Sequence, residues 1–387
     1  MIYLDNAATT RMSSEVLEEM IPFLTDRYGN AGSFHSFGRE AASAVQRARE
    51  QVAELINCEP NQIVFTSGGS ESNAMVFSGI RNHLLRKGKT GVVISNVEHD
   101  SVDKAARSMG KCFNLSKIPV NRFGRVPIGE IDNYINDNTG LVSIMSVNNE
   151  TGAVNPLASI GKVCGYRDVL FHTDCVQAIG SYKTDVSKIG CDFLSLSGHK
   201  IHAPKGTGAL YIKDKKLLRP IIRGGDTQED GLRGGTANVA GIVGLGKACE
   251  LANARLHEDS NRITELKDCF IKRLWANLIR YDIEELMCVN GSPEHGKILN
   301  LRFKGIDGQT LLLMLDAEGV CVSAGSACHS DSTEPSRVLL AMGLTDREAR
   351  ESIRVSFSAL LSKDDVISAA DIMGECINLL ATGDIVI

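Results

Sequence analysis

The sequence predicts a two-part protein: a large α/β unit built on a mostly parallel sheet, with a smaller α+β unit attached. Three observations carry this expectation. At 387 residues the chain is too long for one compact core. Short apolar runs alternate with helical patterns as far as about residue 200, the rhythm of parallel strands joined by crossover helices. From about Glu250 that rhythm stops and a long polar helical stretch takes its place.

The first helix is read from REAASAVQRAREQVAELI, residues 39–56, where Val45, Ala48, Val52, Leu55 and Ile56 share one face and charges take the other. Ile63 to Phe65 then form a strand that runs into a Ser/Gly turn, and a second helix starts near Glu71. The same pattern recurs in GVVISNVEHDSV, LVSIMSVNNETG, VLFHTDCVQAIG and DFLSLSGHK. Beyond them, LANARLHEDSNRITELKDCFIKRLWANLI reads as a long helix, and Leu299, Leu301 and Phe303 of KILNLRF alternate as a half-buried strand does. GVCVSAG and SIRVSFS supply two more strands, and a closing helix begins near Asp364. The expected division is 16–255 for the large unit, with 1–15 and 256–387 forming the small one.

Composition narrows the function. The formal net charge of −5 offers no basic excess for nucleic acid or an anionic membrane. Asp5 interrupts MIYLDNAATT where a secretory signal would be apolar, and no apolar run is long enough to cross a bilayer, so a cytoplasmic protein is expected. The 11 cysteines are scattered without a CxxC pair, which suits reduced thiols better than disulfides or a structural zinc site.

In open parallel sheets ligands bind beyond the carboxyl ends of the strands, so the polar residues there are the ones to read. Thr66-Ser67-Gly68-Gly69-Ser70 opens a helix with small residues whose backbone N–H groups suit a phosphate, although no P-loop ending follows. Asp174 ends another apolar run, His99 a third, and Lys200 follows the strand of LSLSGHK. Singly, these are a helix cap, a capping acid, a loop histidine and a surface lysine. Together, a phosphate cradle, an acid and a reactive lysine are what pyridoxal phosphate needs: an anchor, a partner for the pyridinium nitrogen and a Schiff-base lysine.

Two further residues need an account. Cys328 lies in VSAGSACHSDSTEPS, a run too small and polar to pack a core, which reads as a surface loop able to carry a thiol into a site. An incidental thiol, or a metal ligand paired with His329, are the plainer readings. Arg354 sits in the alternating strand SIRVSFS, where an inward guanidinium needs a carboxylate: an internal Asp or Glu, or the α-carboxylate of an amino acid.

These residues resemble a known family. YLDNAATT, YGNAGSFHSFG, TSGGSESNA, VEHDSV, VNNETGAVNP, HTDCVQAIG, SGHKIHAPKGTGALY, RGGTANV, SAGSACHSDSTEPSRVLLAMGL and SIRVSFS together resemble the cysteine desulfurases of the NifS/IscS type. These belong to the class V aminotransferase group of fold-type I pyridoxal phosphate enzymes. SGHK followed by PKG, with the later GSAC loop, is the most specific part.

The resemblance implies pyridoxal 5′-phosphate as cofactor, Lys200 as the Schiff-base lysine, Asp174 as the pyridinium partner and Gln177 at the ring oxygen. It makes His99 a stacked acid/base group and Asn149 a neighbour of the cofactor. Gly69, Ser70, Ser197 and His199 would hold the phosphate, completed by Thr236 of a second subunit, so a homodimer follows. Asn30 and Arg354 would receive the carboxylate of L-cysteine. Lys200 or His99 would take the Cα proton, and Cys328, on a loop of about 321–336, would accept the sulfur as a persulfide with alanine as product. A protein acceptor would then draw on it for iron–sulfur cluster assembly or for thiolation of tRNA or a cofactor.

The chain departs from the family pattern at Cys175 and Ala31, where alanine and proline are usual, and it ends at ATGDIVI without the extension that longer members use to dock a scaffold. Selenocysteine lyase and aminotransferase are the neighbouring activities, and an aminotransferase has no use for Cys328. A non-catalytic alternative, a metal-binding or sulfur-carrier module, draws on His199, His202, Cys328 and His329.

Overall fold

The computed structural model describes residues 1–292, 296–325 and 334–383. Among these the strands form three sheets. In spatial order the seven strands of the large sheet are Ile63–Thr66, Gly208–Ile212, Phe193–Ser197, Leu170–Asp174, Thr139–Ser143, Gly91–Ser95 and Asn114–Ile118. Gly208–Ile212 runs antiparallel to both its neighbours and the remaining pairs are parallel. The parallel strands therefore deliver their carboxyl ends to one edge.

These strands read as continuous apolar runs because both faces of the sheet are covered. Val92 and Ile94 enter one core with Phe77, Leu141 and Leu210, while Val93 enters the opposite core with Val142, Phe171 and Leu196. Side chains alternate across a strand, so consecutive residues stabilise opposite layers. A fully buried Leu or Phe contributes about 1.5–3 kcal/mol in each layer.

The helix expected at 39–56 spans Ser36–Ile56; His35 caps its start by accepting from the Gly38 N–H, and Asn57, in the left-handed region at φ 57°, ends it. Its buried face includes Val45, Ala48, Val52 and Ile56.

The second unit is built on a three-stranded antiparallel sheet of Ser352–Ser356, Ile298–Phe303 and Met287–Asn290, with Asn300 opposite Arg354. The N-terminal strand Ile2–Tyr3 pairs in parallel with Val320–Cys321, and an isolated bridge joins Asp5 to Ser356. The N-terminus thus crosses to the later part of the chain and then returns past the large sheet. Helix Val239–Arg280, 42 residues long, runs unbroken through residue 255. Ile242, Leu245 and Cys249 pack into the large core, and Ile263, Leu266, Phe270, Leu274 and Leu278 into the small one. One rigid element therefore serves both cores. The closing helix spans Lys363–Thr382. Among the described residues no helix is long and apolar enough to cross a membrane.

Candidate active site

A cavity of about 200 Å³ opens at the carboxyl ends of the parallel strands, lined from five of them and from Ala7, Ala8 and Arg354. After Phe193–Ser197 the backbone tightens into a single 3₁₀ turn, Gly198–Lys200, which carries Lys200 to the cavity. Its Nζ donates to the carbonyls of Ala7 at 2.5 Å and Ala8 at 2.7 Å. Backbone carbonyls orient the amine without neutralising it.

Asp174 ends the strand Leu170–Asp174 and is 5% exposed. Its Oδ1 accepts from the Val176 N–H at 3.0 Å and its Oδ2 from Asn73 Nδ2 at 2.8 Å. Gln177 Nε2 donates to the Ala7 carbonyl at 2.9 Å. Its buried Oε1 has no hydrogen-bond partner among the described residues.

Gly68 precedes helix Gly69–Arg86 at φ 151°, which glycine permits, and no side chain caps the helix. The first N–H groups of the helix therefore face the cavity as an anion site. A Cβ added at Gly69 would meet Val176 Cγ2 at 2.6 Å, so the close approach of Val176 requires glycine there. Ser70, Ser197 and His199 line the same cavity. Burial, then the charges of Lys200, Lys297 and Lys205, push His199 down to about 4, and its Nδ1 lies 3.2 Å from Thr9 Oγ1.

His99 caps helix Asp100–Arg107. Its Nδ1 accepts from the Ser101 N–H at 3.1 Å and lies 2.8 Å from Ser101 Oγ. Asn149 lines the cavity, and its carbonyl accepts from Arg354 Nη1 at 2.9 Å. Arg354, 1% exposed, also donates from Nη2 to Asp5 Oδ1 at 2.7 Å. Of the two carboxylates the sequence left open for Arg354, an internal one is present.

Two expected site residues lie elsewhere in this chain. Asn30 is exposed, with its Oδ1 accepting from the Gly32 N–H, and does not line the cavity. Thr236 is also exposed; its segment is tied to the start of the cradle helix through Arg233 Nε and Glu71 Oε1 at 3.0 Å. Cys328 and His329 lie outside the described residues. A wider cleft of about 710 Å³ meets the cavity at His99 and Asn149 and reaches Gly325 and Glu334, which flank that segment. Among the described residues no group of three or more His, Cys, Asp or Glu could hold a metal ion. His202, one of the candidate metal ligands, has its Nδ1 2.8 Å from the Arg11 carbonyl oxygen.

Sequence reasoning passed over several residues. Ala7 and Ala8 act through carbonyls, which residue type does not announce. Asn73 stands four positions after Gly69 on one helix face, a spacing that was available as a signal. Lys297, 5% exposed, donates to the Lys200 carbonyl at 2.9 Å; burial, then the charges of Lys200 and Arg354, push it down to about 7.

The family model described as aminotransferase class-V matches residues 2–368. A protein of Dictyoglomus turgidum named cysteine desulfurase IscS is 40% identical over 385 residues, covering 98% of this chain and 95% of its own length. One of the same name from Methanosarcina thermophila is 40% identical over 382 residues, covering 98% and 92%. A solved NifS-like protein superposes with a TM-score of 0.87 at 32% identity, covering 97% of this chain and 98% of its own. Another, titled SspA in complex with cysteine, has a TM-score of 0.78 at 34% identity over 92% and 99%.

Proposed function

This chain belongs to the aminotransferase class-V family, and on that premise we propose that it is a cysteine desulfurase dependent on pyridoxal 5′-phosphate. It converts L-cysteine to L-alanine and keeps the sulfur as a persulfide on Cys328. The observation that carries the reading is one cavity shared by Lys200, Asp174 and the open helix start at Gly69. A lysine, an acid and an anion cradle at one sheet edge match the three demands of that cofactor, and the fit is supported by the helix start at Gly69, which no side chain caps.

In this reading the N–H groups at Gly69 and Ser70, with Ser197 and His199, would hold the phosphate, and a neutral His199 would donate there without adding charge. Thr236 completes the same site in a second copy of the chain. Asp174 would partner the ring nitrogen, Gln177 the ring oxygen and His99 the ring face, with Asn149 as a neighbour of the cofactor. When bound, the cofactor supplies the electron sink that makes the Cα proton of cysteine acidic. Lys200 takes that proton, with its amine aimed by the Ala7 and Ala8 carbonyls. Arg354 and Asn30 are the proposed groups for the substrate carboxylate.

The Cys328 thiolate forms a bond to the substrate sulfur as the Cβ–S bond breaks, and the carbon fragment gains protons to become alanine. Cysteine and one thiol thus become alanine and one persulfide with no outside oxidant. A protein acceptor then takes the outer sulfur for iron–sulfur assembly or thiolation.

A homodimer is supported by the apolar side chains exposed along one N-terminal stretch, with Leu24 at 61%, Tyr28 at 74% and Phe34 at 95%. The cytoplasm is the proposed compartment, where thiols such as the free Cys58, Cys112 and Cys269 stay reduced.

The test is alanine formation from L-cysteine with a thiol reductant, in the purified protein and in Cys328→Ala. Alanine from the first and none from the second is expected. Equal alanine from both would remove Cys328 from the reaction and with it the desulfurase.

A further inference from the structure

The amide of Asn73 joins the acid of the site to its imidazole. Asn73 is fully buried, and its Nδ2 donates at 2.8 Å to Asp174 Oδ2 and at 2.8 Å to Ser101 Oγ. Both hydrogens of one NH₂ group are used in this way. Ser101 Oγ, as acceptor from an amide, turns its own hydrogen to His99 Nδ1, 2.8 Å away. The Ser101 backbone N–H reaches the same nitrogen at 3.1 Å. A backbone N–H can only donate, so Nδ1 keeps its lone pair and the proton of the neutral ring sits on Nε2.

We propose that Asn73, acting through Ser101, is a positioning residue of this active site: it holds His99 in one tautomer and one ring orientation while it donates to the Asp174 carboxylate. The proposal deepens the desulfurase reading and rests on it for the role of His99. Its first consequence, the tautomer, requires no cofactor. With Nδ1 engaged and Nε2 protonated, neutral His99 offers the cavity an N–H and no lone pair. It serves as a donor, and the Cα proton is left to Lys200.

An imidazole caps this helix, a position that favours Ser, Thr, Asp or Asn. A cap must accept from the first turn, which histidine does only with a bare nitrogen. The Ser101 hydroxyl, held by Asn73, adds a second donor to the Nδ1 that the cap already engages.

The experiment reads the imidazole nitrogens of protein labelled with ¹⁵N-histidine and free of cofactor, assigned by comparison with His99→Gln. Wild-type His99 is expected to show a protonated Nε2 and a bare Nδ1. In Asn73→Leu and in Ser101→Ala the Nδ1 resonance moves toward that of a nitrogen accepting fewer hydrogen bonds, and Ser101→Thr restores it. In the loaded enzyme both losses lower kcat by roughly ten-fold, less than the about 10²–10⁴-fold that an acid/base group itself contributes, with KM unchanged. A proton on Nδ1 of wild-type His99 overturns the proposal, as does an Nδ1 resonance unmoved by either loss. Should Asn73→Leu fail to fold, Ser101→Ala carries the same comparison. Wild-type protein that makes no alanine yet shows the Nδ1 response overturns the desulfurase reading alone and supports the relay.

Discussion

Arg354 and Asp5 form an ion pair of 2.7 Å, with the arginine side chain 1% exposed and the aspartate 17%. It ties the strand Ser352–Ser356 to the N-terminal segment whose carbonyls, two and three residues on, hold Lys200. Asp5→Ala leaves a buried guanidinium short of its counter-ion, and removing one partner of such a pair costs about 3–5 kcal/mol. Urea unfolding should show a loss in that range for Asp5→Ala and a smaller one for Asp5→Asn, which keeps an acceptor. Equal stability of Asp5→Ala and wild type would mean that the pair contributes nothing.

Gly69→Ala tests the cradle apart from the fold. The position is helical, so alanine brings no backbone strain, but its Cβ would meet Val176 Cγ2 at 2.6 Å and push that side chain of the cavity wall out of place. Without cofactor the variant should melt within a few degrees of wild type. Its affinity for pyridoxal phosphate, measured by fluorescence titration, should drop about ten-fold or more, equivalent to ~1.4 kcal/mol. Undiminished affinity would place the phosphate elsewhere.

Glu98 precedes His99 and is 1% exposed. Its Oε1 accepts from Ser95 Oγ and the Met145 N–H, and its Oε2 has no partner among the described residues. Burial, and to a lesser extent the charge of Asp174, push the carboxyl up to about 8 against the bonds from Ser95 and Met145 and the charge of Arg337, which lower it. The folded chain keeps this proton up to about pH 8, whereas the unfolded chain gives it up near 4.5, so wild-type stability falls as pH rises across that window. Glu98→Gln should match wild type at pH 4 and exceed it at pH 8 by more than about 1 kcal/mol, since one pKa unit is ~1.4 kcal/mol. The same stability difference at both pH values would show that the carboxyl titrates alike in the folded and unfolded chains.

Lys297 has the opposite sign. Pushed down to about 7 from an ordinary 10.5, it sheds its proton in the folded chain over a range where the unfolded chain retains it. Wild-type stability therefore gains from this group as pH climbs from about 7 to 10.5. Lys297→Met, which keeps the buried stem and removes the charge, should raise the melting temperature most at pH 6, and its advantage should shrink toward pH 10. A variant less stable than wild type at pH 6 would show that the bond to the Lys200 carbonyl outweighs the burial of the charge.

The strands were legible because both faces of the large sheet are covered, which leaves apolar runs such as Gly91–Ser95 and Phe193–Ser197 plain in the sequence. Helix Ser36–Ile56 was legible from its single apolar stripe. The length of helix Val239–Arg280 was harder to read, because its two halves serve different cores, so no one periodicity runs through it. At the site, Lys200, Asp174, His99 and Gly69 could be named since each follows a strand and each has a side chain, or lacks one, in a way that bears on chemistry. Ala7 and Ala8 could not be named from composition, because a carbonyl is present in every residue.

Taken alone, the amino-acid order determined which elements form and which polar residues stand at strand ends, because hydrophobic period and the small residues after each strand are local properties. Only the tertiary structure decided who meets whom. Asp5 reaches Arg354, 349 positions away, Asn73 lies between Asp174 and Ser101, and Lys297 lies behind Lys200. Such contacts depend on strand order, register and the route of the N-terminus between two cores, and a buried donor or charge acquires its role from the partner that those set beside it.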